Sequence, residues 1–523
     1  MKGLPPPLQG LLAPRAYPHA VQAIQLIETH ISWVLLTGQW AYKIKRPVCY
    51  PFVDLRAAEH RAFLCHEELR LNRRFAAELY IEVCPITESD GEVSMAGAGT
   101  VIEQAVKMRQ FDRAAMLDQL LDRAEVDAEA LEEFGAHLAG IHAGLPACGE
   151  EWGQPASVRA QLLDNLDQCA TAAAVFGDRQ AVSALRAPLA ARLEQVHPWM
   201  RQRGQQGRVR ECHGDLHSAN IVRHHGQLLA FDCLEFEPAL RWIDVAQDVA
   251  TLLADLGSRA QRALAMAFLC GYLRHSGDFR LCRLLDVYQA HRALVRAKVM
   301  ALNALNQIEE GADTLALQQR YRTHLGYARE CLAERHPALV LMHGLSGSGK
   351  SWLAHRLTRT LGAVPLSSDV ERRRRAEVSA AARYSAPARA QVYRHLAEGA
   401  TDTLAGGFTT VIDATFGARE QRAQFQALAA ELAVPVCLVH CQAPPQVLRE
   451  RVAQRLGQRH EASEADLQVL AWQQRHLHTV APDEGFTVFT VNTADPESLA
   501  SLDRSLGAFI RRSRPEGPDP AIP

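Results

Sequence analysis

The sequence predicts an α+β domain followed by an α/β domain built on a mainly parallel sheet. Three observations carry that division. Ala338-Leu339-Val340-Leu341-Met342 is a short buried-strand run with a glycine-rich loop immediately behind it, then a helix with Leu353, Leu357 and Leu361 at i, i+4 spacing. Beyond it, strand-like runs at 408–412, 434–440 and 486–491 alternate with helical stretches, the pattern of strands joined by crossover helices. Ahead of it the order differs. Strand-like segments at 31–54 and 101–109 flank a helical stretch at 56–79, and long helical stretches follow at 113–200 and 240–335, broken by a strand, loop and strand at 209–232. The pattern changes beside Pro337, which places a boundary near 330–337. The expected domains are 25–330 and 336–510, and a cut near 335 is expected to leave two foldable pieces. The proline-rich residues 1–20 read as a loose end, and 511–523 as a disordered tail.

The bulk properties fit that plan. A chain of 523 residues exceeds what one core supports, so two or three domains are expected. Apolar residues make up 48% and charged residues 22%, an ordinary globular balance. The net charge of −2 gives no global field toward nucleic acid or an anionic membrane. The 12 cysteines lack any CxxC pair and read as reduced packing residues of a cytoplasmic protein. MKGLPPPLQG has no apolar core of a signal peptide, and no run approaches the roughly 20 apolar residues that span a bilayer.

Gly344-Leu345-Ser346-Gly347-Ser348-Gly349-Lys350-Ser351 fits the Walker A pattern G-x-x-x-x-G-K-[ST] in full, in the strand-loop-helix setting that the motif requires. Its glycines let backbone N–H groups wrap a phosphate chain, and the helix behind adds its positive end. Lys350 is placed to reach the β- and γ-phosphates of ATP, and Ser351 to ligate Mg²⁺. Downstream, Asp369 lies just past a second strand end, where a carboxylate can take a proton from an acceptor hydroxyl, with Arg372 holding the acceptor. The plainer reading makes Asp369 an N-cap and Arg372–Arg375 a solvated run. Asp413, ending the strand FTTVI, suits contact with Mg²⁺ or the acceptor; as a plain feature it is a turn residue. Arg451 and Arg455, at i, i+4, are lid arginines or a solvated helix face.

In the first half, His213-Gly214-Asp215-Leu216-His217-Ser218-Ala219-Asn220 carries a His-x-Asp-x-x-x-x-Asn spacing, and Asp232 follows Asn220 in Leu229-Ala230-Phe231-Asp232. Phosphoryl transfer needs a carboxylate to orient and deprotonate the attacking hydroxyl, plus an amide and a carboxylate for the metal. Asp215 takes the first role; Asn220 and Asp232 take the others. His213 reads as a brace for the loop, and His217 as a solvent-facing loop residue.

These residues carry two resemblances. GLSGSGKS, SSDVERRRR, VIDATF and RERVAQR resemble the small P-loop kinases related to gluconate kinase, chloramphenicol phosphotransferase and the kinase half of polynucleotide kinase, over about 338–500. That likeness implies Asp369 as general base, Arg372 on the acceptor, and lid arginines. The segment does not resemble a AAA+ machine, since no arginine-finger or sensor pattern follows the Asp413 strand. The catalytic-loop segment resembles the aminoglycoside phosphotransferase and choline kinase branch of the protein-kinase-like fold, over about 25–310. That likeness implies a strand lysine on the α/β-phosphates paired with a helix glutamate, for which Lys43 is preferred to Lys45, and Glu68 to Glu67. It also implies that Asp244 and Asp248 brace the catalytic loop and open a helix. The chain departs from protein kinases: no Gly-x-Gly-x-x-Gly precedes the lysine and no Ala-Pro-Glu follows. An acidic pocket for a polycation rests on Glu235 and Glu237 alone, which does not establish one.

The combined expectation is a bifunctional kinase that uses ATP and Mg²⁺ on small-molecule hydroxyl acceptors. Two alternatives stay open: an ATP-binding switch in which one module gates the other, and a polynucleotide 5′-hydroxyl kinase in the second half, which the near-neutral charge disfavours and the Arg372–Arg375 cluster keeps open.

Overall fold

A computed structural model describes residues 3–50, 53–149, 151–309, 313–374, 385–455, 467–476 and 479–512. The chain condenses into two compact units, each assembled from separate stretches. The first comprises Met1–Ala130, Gly140–Ser157 and Arg201–Asp255; the second comprises Leu131–Ala139, Val158–Met200 and Leu256–Pro523.

The first unit is built on a six-stranded antiparallel sheet, with strands in the order Gln25–Glu28, Ser32–Leu36, Trp40–Lys45, Thr100–Arg109, Tyr80–Ser89 and Glu92–Met95. The helix Ala58–Ala76 packs on it through Cys65 and Ala76, and its buried stripe of helical period, Leu64, Glu68, Leu71 and Phe75, contains a glutamate. Placing one glutamate inside an apolar stripe costs free energy unless a partner meets it, and two lysines of the central strand do. Behind the sheet, the short strands Val209–Glu211 and Trp242–Asp244 pair, and the hairpin Ile221–His224 with Gln227–Ala230 follows the catalytic loop.

Two expectations fail here. Residues 1–20 are no loose end where they are described. Pro6–Leu12 and Pro14–Ala16 form 3₁₀ turns whose Leu4, Leu8 and Leu11 are buried with Trp33, Leu35 and Tyr42. Proline at the first position of each turn preorganises it, so the composition that suggested looseness is what shapes the turns. The hairpin at 80–95 was absent from the sequence reading. Pro85 lies within its first strand, and the pairing register shifts near it, which breaks the alternation that marks a strand.

In the second unit, five parallel strands, Leu339–His343, Val364–Ser367, Thr410–Asp413, Val436–Gln442 and Thr487–Asn492, lie in the order second, third, first, fourth, fifth. The first strand is buried along its whole length, as a central parallel strand must be. The same unit holds the helices Arg262–Ser276, Leu285–Glu309 and Leu315–Leu332. The helix Arg262–Ser276 packs on the helix Lys350–Leu361 of the parallel-sheet part, and the turn Phe279–Arg283 packs on its helix Ala386–Ala405. Arg283 pairs with Asp402 at 2.6 Å and stacks 4.0 Å over Trp199. A Cβ on Gly406 would lie 2.4 Å from the carbonyl oxygen of Cys282. The last helix runs Pro496–Arg512, so 511 and 512 are helical; 513–523 lie outside the described residues.

Candidate active sites

In the first unit the side chains build the site by holding one another. Lys43 Nζ lies 2.7 Å from Glu68 Oε1 and also contacts Asp232. Lys45, fully buried, contacts the other Glu68 oxygen and Glu235. The two lysines, expected on a polar face, are therefore both turned inward onto one carboxylate, and Lys43 alone reaches Asp232. Glu67 sits elsewhere, paired with Arg70 at 2.8 Å. Burial favours the uncharged lysine, but Asp232 and Glu68 outweigh it and hold the Lys43 pKa well above its ordinary value. Burial also works to raise Asp232, and Lys43 overcomes it, so Asp232 stays an ionised carboxylate. Glu235 goes the other way: burial pushes it up, with Lys45 opposing.

The loop around Asp215 is braced from behind. Asp248 accepts from the amides of His213 at 2.7 Å and Gly214 at 2.9 Å, and meets His142 Nε2 at 3.3 Å. Gly214 has φ +86, and a Cβ there would meet the Leu240 carbonyl at 2.8 Å, so this turn requires glycine. Asp244 takes a bidentate pair from Arg203 and caps Ala246, opening the next helix. Burial depresses the pKa of His213, leaving a neutral ring whose Nε2 donates to Phe231 O at 2.9 Å. That is a bracing role. His217 differs from the solvent-facing reading: its side chain is 12% exposed and its Nε2 lies 3.3 Å from Asp215 Oδ2. It steers the carboxylate placed to serve as base. Asn220 Nδ2 donates to Asp215 O at 3.0 Å, which leaves its amide oxygen for a cation, next in function to Asp232. Asp232 has φ +65, a conformation that non-glycine residues rarely hold. This donor set of one amide oxygen and one carboxylate suits Mg²⁺.

In the second unit the backbone builds the site. Gly344, Gly347 and Gly349 all have positive φ, and a Cβ on any of them would collide with Cys441 O, Leu448 O or Thr493 Oγ1 at 2.4–2.8 Å. Lys350 folds over the loop and donates to Gly344 O at 2.9 Å and Leu345 O at 2.8 Å. The amide of Ser346 donates to Gln473 Oε1 at 2.8 Å. The hydroxyl of Ser348 is buried without a hydrogen-bond partner among the described residues, which fits a place prepared for a phosphate oxygen. Ser351 and Asp413 line one cavity, and burial pushes the Asp413 carboxyl up against the pull of Lys350. A divalent cation beside that pair would hold the carboxylate ionised.

A cavity of about 360 Å³ joins the loop to Lys350, Ser351, Asp369, Arg372 and Asp413. Asp369 and Arg372 pair at 2.5 Å on the helix Ser368–Arg374. Arg451 is turned onto the loop itself, donating to Thr493 Oγ1 at 2.9 Å and Gly347 O at 3.3 Å, so here it braces the P-loop. The side chain of Arg455, like residue Arg375, lies outside the described residues. The cavity also takes in Arg389, Tyr393, Trp472 and Gln473, which the sequence reading did not single out. Arg389 and Tyr393 stand one helical turn apart, a spacing too common to select them; Trp472 has half its surface exposed, which an apolar-pattern search cannot see.

Residues 56–294 match the family model described as a phosphotransferase enzyme family, and residues 339–480 match one described as an AAA domain. Both halves are thus kinase-type domains, and the chain is a phosphotransferase of the kinase class. The second description qualifies the expectation of no likeness to a AAA+ machine: the match covers the P-loop core, whereas the expectation rested on missing arginine-finger and sensor patterns. Uncharacterized proteins of Mycobacterium tuberculosis and Mycobacterium bovis are 29% identical over 490 residues, covering 88% of this chain and 93% of theirs. Among solved structures, a choline/ethanolamine kinase family protein from Mesorhizobium loti aligns with 59% of this chain and 93% of its own at 14% identity and TM-score 0.33. A gluconokinase from Sinorhizobium meliloti aligns with 34% of this chain and 94% of its own at 20% identity and TM-score 0.25.

Proposed function

We propose that this two-domain phosphotransferase moves the γ-phosphoryl group of MgATP to hydroxyl groups of small molecules, once in each half, with 25–330 and 336–510 as its modules. The observation that carries the reading is the same in both units: a lysine for phosphate, oxygen donors for a cation and a carboxylate base stand together. In the first, Lys43, held by Glu68, takes the nucleotide phosphates; Asn220 and Asp232 hold Mg²⁺; Asp215, steered by His217, takes the proton of the acceptor hydroxyl. In the second, the P-loop amides and Lys350 hold the β- and γ-phosphates, Ser351 and Asp413 hold Mg²⁺, and Asp369 is the base. Mg²⁺ bridges phosphate oxygens and offsets the charge that develops on them; the chain's own residues align the acceptor.

A cavity of this size takes a small acceptor in the second half. Its acceptor end sets Arg372 and Arg389 against Asp369, an excess of positive charge that favours an anionic or phosphorylated hydroxyl compound. Free cysteines and the lack, among the described residues, of a helix long and apolar enough to cross a membrane support a cytoplasmic location.

The test is ADP release from MgATP by the full chain across a screen of polyols, hydroxy acids, amino alcohols and 5′-hydroxyl oligonucleotides. Stimulation that Asp215→Ala removes assigns the first site, and stimulation that Lys350→Ala removes assigns the second. Transfer that survives both substitutions sinks the reading. ATP binding without transfer to any acceptor favours a nucleotide switch, and stimulation by oligonucleotides alone favours an end kinase.

A further inference from the structure

The match to the phosphotransferase family runs to residue 294, yet the helix Arg262–Ser276 and the turn Phe279–Arg283 inside that match lie in the same compact unit as the P-loop site. Their contact with that site is specific. Arg374, the last described residue of the helix that carries Asp369 and Arg372, reaches the end of the helix Arg262–Ser276. Its Nη2 donates to Arg274 O at 2.6 Å, a carbonyl of the last helical turn, and approaches Leu273 O at 3.5 Å, which also accepts from Gly277 N at 2.8 Å. The guanidinium thus sits where the helix dipole is negative. It packs against Gly277, at φ +65, where a Cβ would lie 2.0 Å from Arg374 Nη1, so glycine both ends the helix and leaves the arginine its seat. Phe279 lies under the same guanidinium at 6.0 Å. On its own helix, Arg374 pairs with the buried Glu371 at 2.7 Å.

The described part of this helix, Ser368–Arg374, spans 7 residues, so a contact at Arg374 bears directly on the direction of the turn that carries Asp369 and Arg372. We infer that Arg374 is a positioning residue for the second phosphotransfer site: by capping the helix Arg262–Ser276 it fixes the helix that presents Asp369 and Arg372, and part of the phosphotransferase-family half thereby serves the P-loop site. This rests on the proposed role of Asp369 as base. Arg374 touches neither phosphate nor acceptor; it acts through the tilt of one short helix.

The experiment uses the full chain with Asp215→Asn to silence the first site. Amide hydrogen exchange is mapped for that parent and with Arg374→Ala or Arg374→Lys added. Arg374→Ala is expected to speed exchange together at 368–374 and 271–276, while the strand Leu339–His343 and the affinity for ADP stay as in the parent; Arg374→Lys, which can still cap carbonyls, is expected to restore part of the protection. Basal MgATP hydrolysis adds a second readout: kcat is expected to fall about tenfold with KM for ATP unchanged. Unchanged exchange at 368–374 overturns the inference. So does a loss of protection spread evenly over the parallel sheet, which marks a general structural role, or Arg374→Lys behaving like Arg374→Ala. The parent reading fails by a different sign, namely basal MgATP hydrolysis in the Asp215→Asn chain that Lys350→Ala leaves intact.

Discussion

The two candidate sites gather the same kinds of group and are built in opposite ways. In the first, side chains from distant parts of the chain meet: Lys43 and Lys45 from a strand, Glu68 from a helix, Asp232 and Glu235 from a loop. In the second, consecutive residues of one loop supply the cradle, and three glycines at positive φ let main-chain groups do the binding. A site made of side chains is a network in which each charge depends on another. A site made of backbone depends on space, and on the sheet and helices that keep the loop in shape. The first should therefore fail by losing charges, and the second by losing its support.

The largest effects come from removing the chemistry itself. Asp215→Asn keeps the loop geometry but removes the base, and transfer by the first half is expected to fall by about 10²–10⁴-fold. Lys350→Ala should lower transfer by the second half by about 10²–10³-fold and weaken nucleotide binding as well. Paired measurements on the full chain decide whether the sites are independent. If either substitution silences both activities, the comparison between two separate sites breaks.

The next effect concerns support. A fragment comprising 336–523 keeps the whole P-loop sheet but loses the helices that pack on it. Asp402 loses Arg283, Arg374 loses its carbonyl partners, and the surface at Gly406 is uncovered. The loss is on the order of 5 kcal/mol, which in a unit of this size lowers Tm by about 10–20 °C. A fragment beginning at residue 256 should recover much of it. Calorimetry on both fragments measures the difference; equal melting would bear out the expectation that a cut near 335 leaves two foldable pieces.

This is also where legibility in the sequence ends. The P-loop was readable because its meaning is local: the strand, the glycines and the helix are contiguous. The order His213, Asp215, Asn220, Asp232 was readable for the same reason. What joins distant segments was not. Lys43 and Lys45 are equivalent in an alternating strand, and only the fold shows both against Glu68. Pro85 hid a strand whose register shift next to it, between Ile86 and Thr87, makes proline tolerable. The leucines at 4, 8 and 11 were masked by their prolines. The packing of the segment 262–283 on the parallel-sheet part leaves no periodic trace, because it depends on single residues such as Gly406 and Asp402.

Lys45 tests the side-chain network. It is buried between Glu68 and Glu235, so Lys45→Met leaves Glu235 without its cation, while Glu68 keeps Lys43. Breaking a buried pair from one side costs roughly 3 kcal/mol or more. Denaturant unfolding of the first unit should show that loss, and Lys45→Met with Glu235→Gln should recover part of it, because the second change removes the stranded charge. Lys43→Met, with its side chain partly exposed, should cost less stability and far more activity. If Lys45→Met proves the less stable-sensitive and more activity-sensitive of the two, Lys45 is the nucleotide lysine.

The smallest effect separates the units by pH. His343 ends the first strand of the parallel sheet, buried, with Nδ1 donating to Thr415 O at 3.1 Å. Burial, aided by the neighbouring His440, lowers its pKa to about 4. The unfolded chain protonates this ring near pH 6.5, whereas the folded chain does so only near the lowered value. Above pH 6.5 both forms are neutral and stability is full. As pH falls from there toward 4, the unfolded state binds a proton that the native state refuses, and stability drops by about 1.4 kcal/mol per pH unit. Below that window the native state protonates too, and the loss stops growing. At pH 5 the expected cost is about 2 kcal/mol. His343→Gln keeps an N–H donor for Thr415 O and has no proton to gain, so its stability should change less between pH 7.5 and 5. The difference between wild type and variant isolates His343 from other buried histidines such as His291, which shifts the same way. Parallel stability–pH curves for the two proteins would show that this strand end admits a charged ring, and that the support beneath the P-loop is looser than the packing implies.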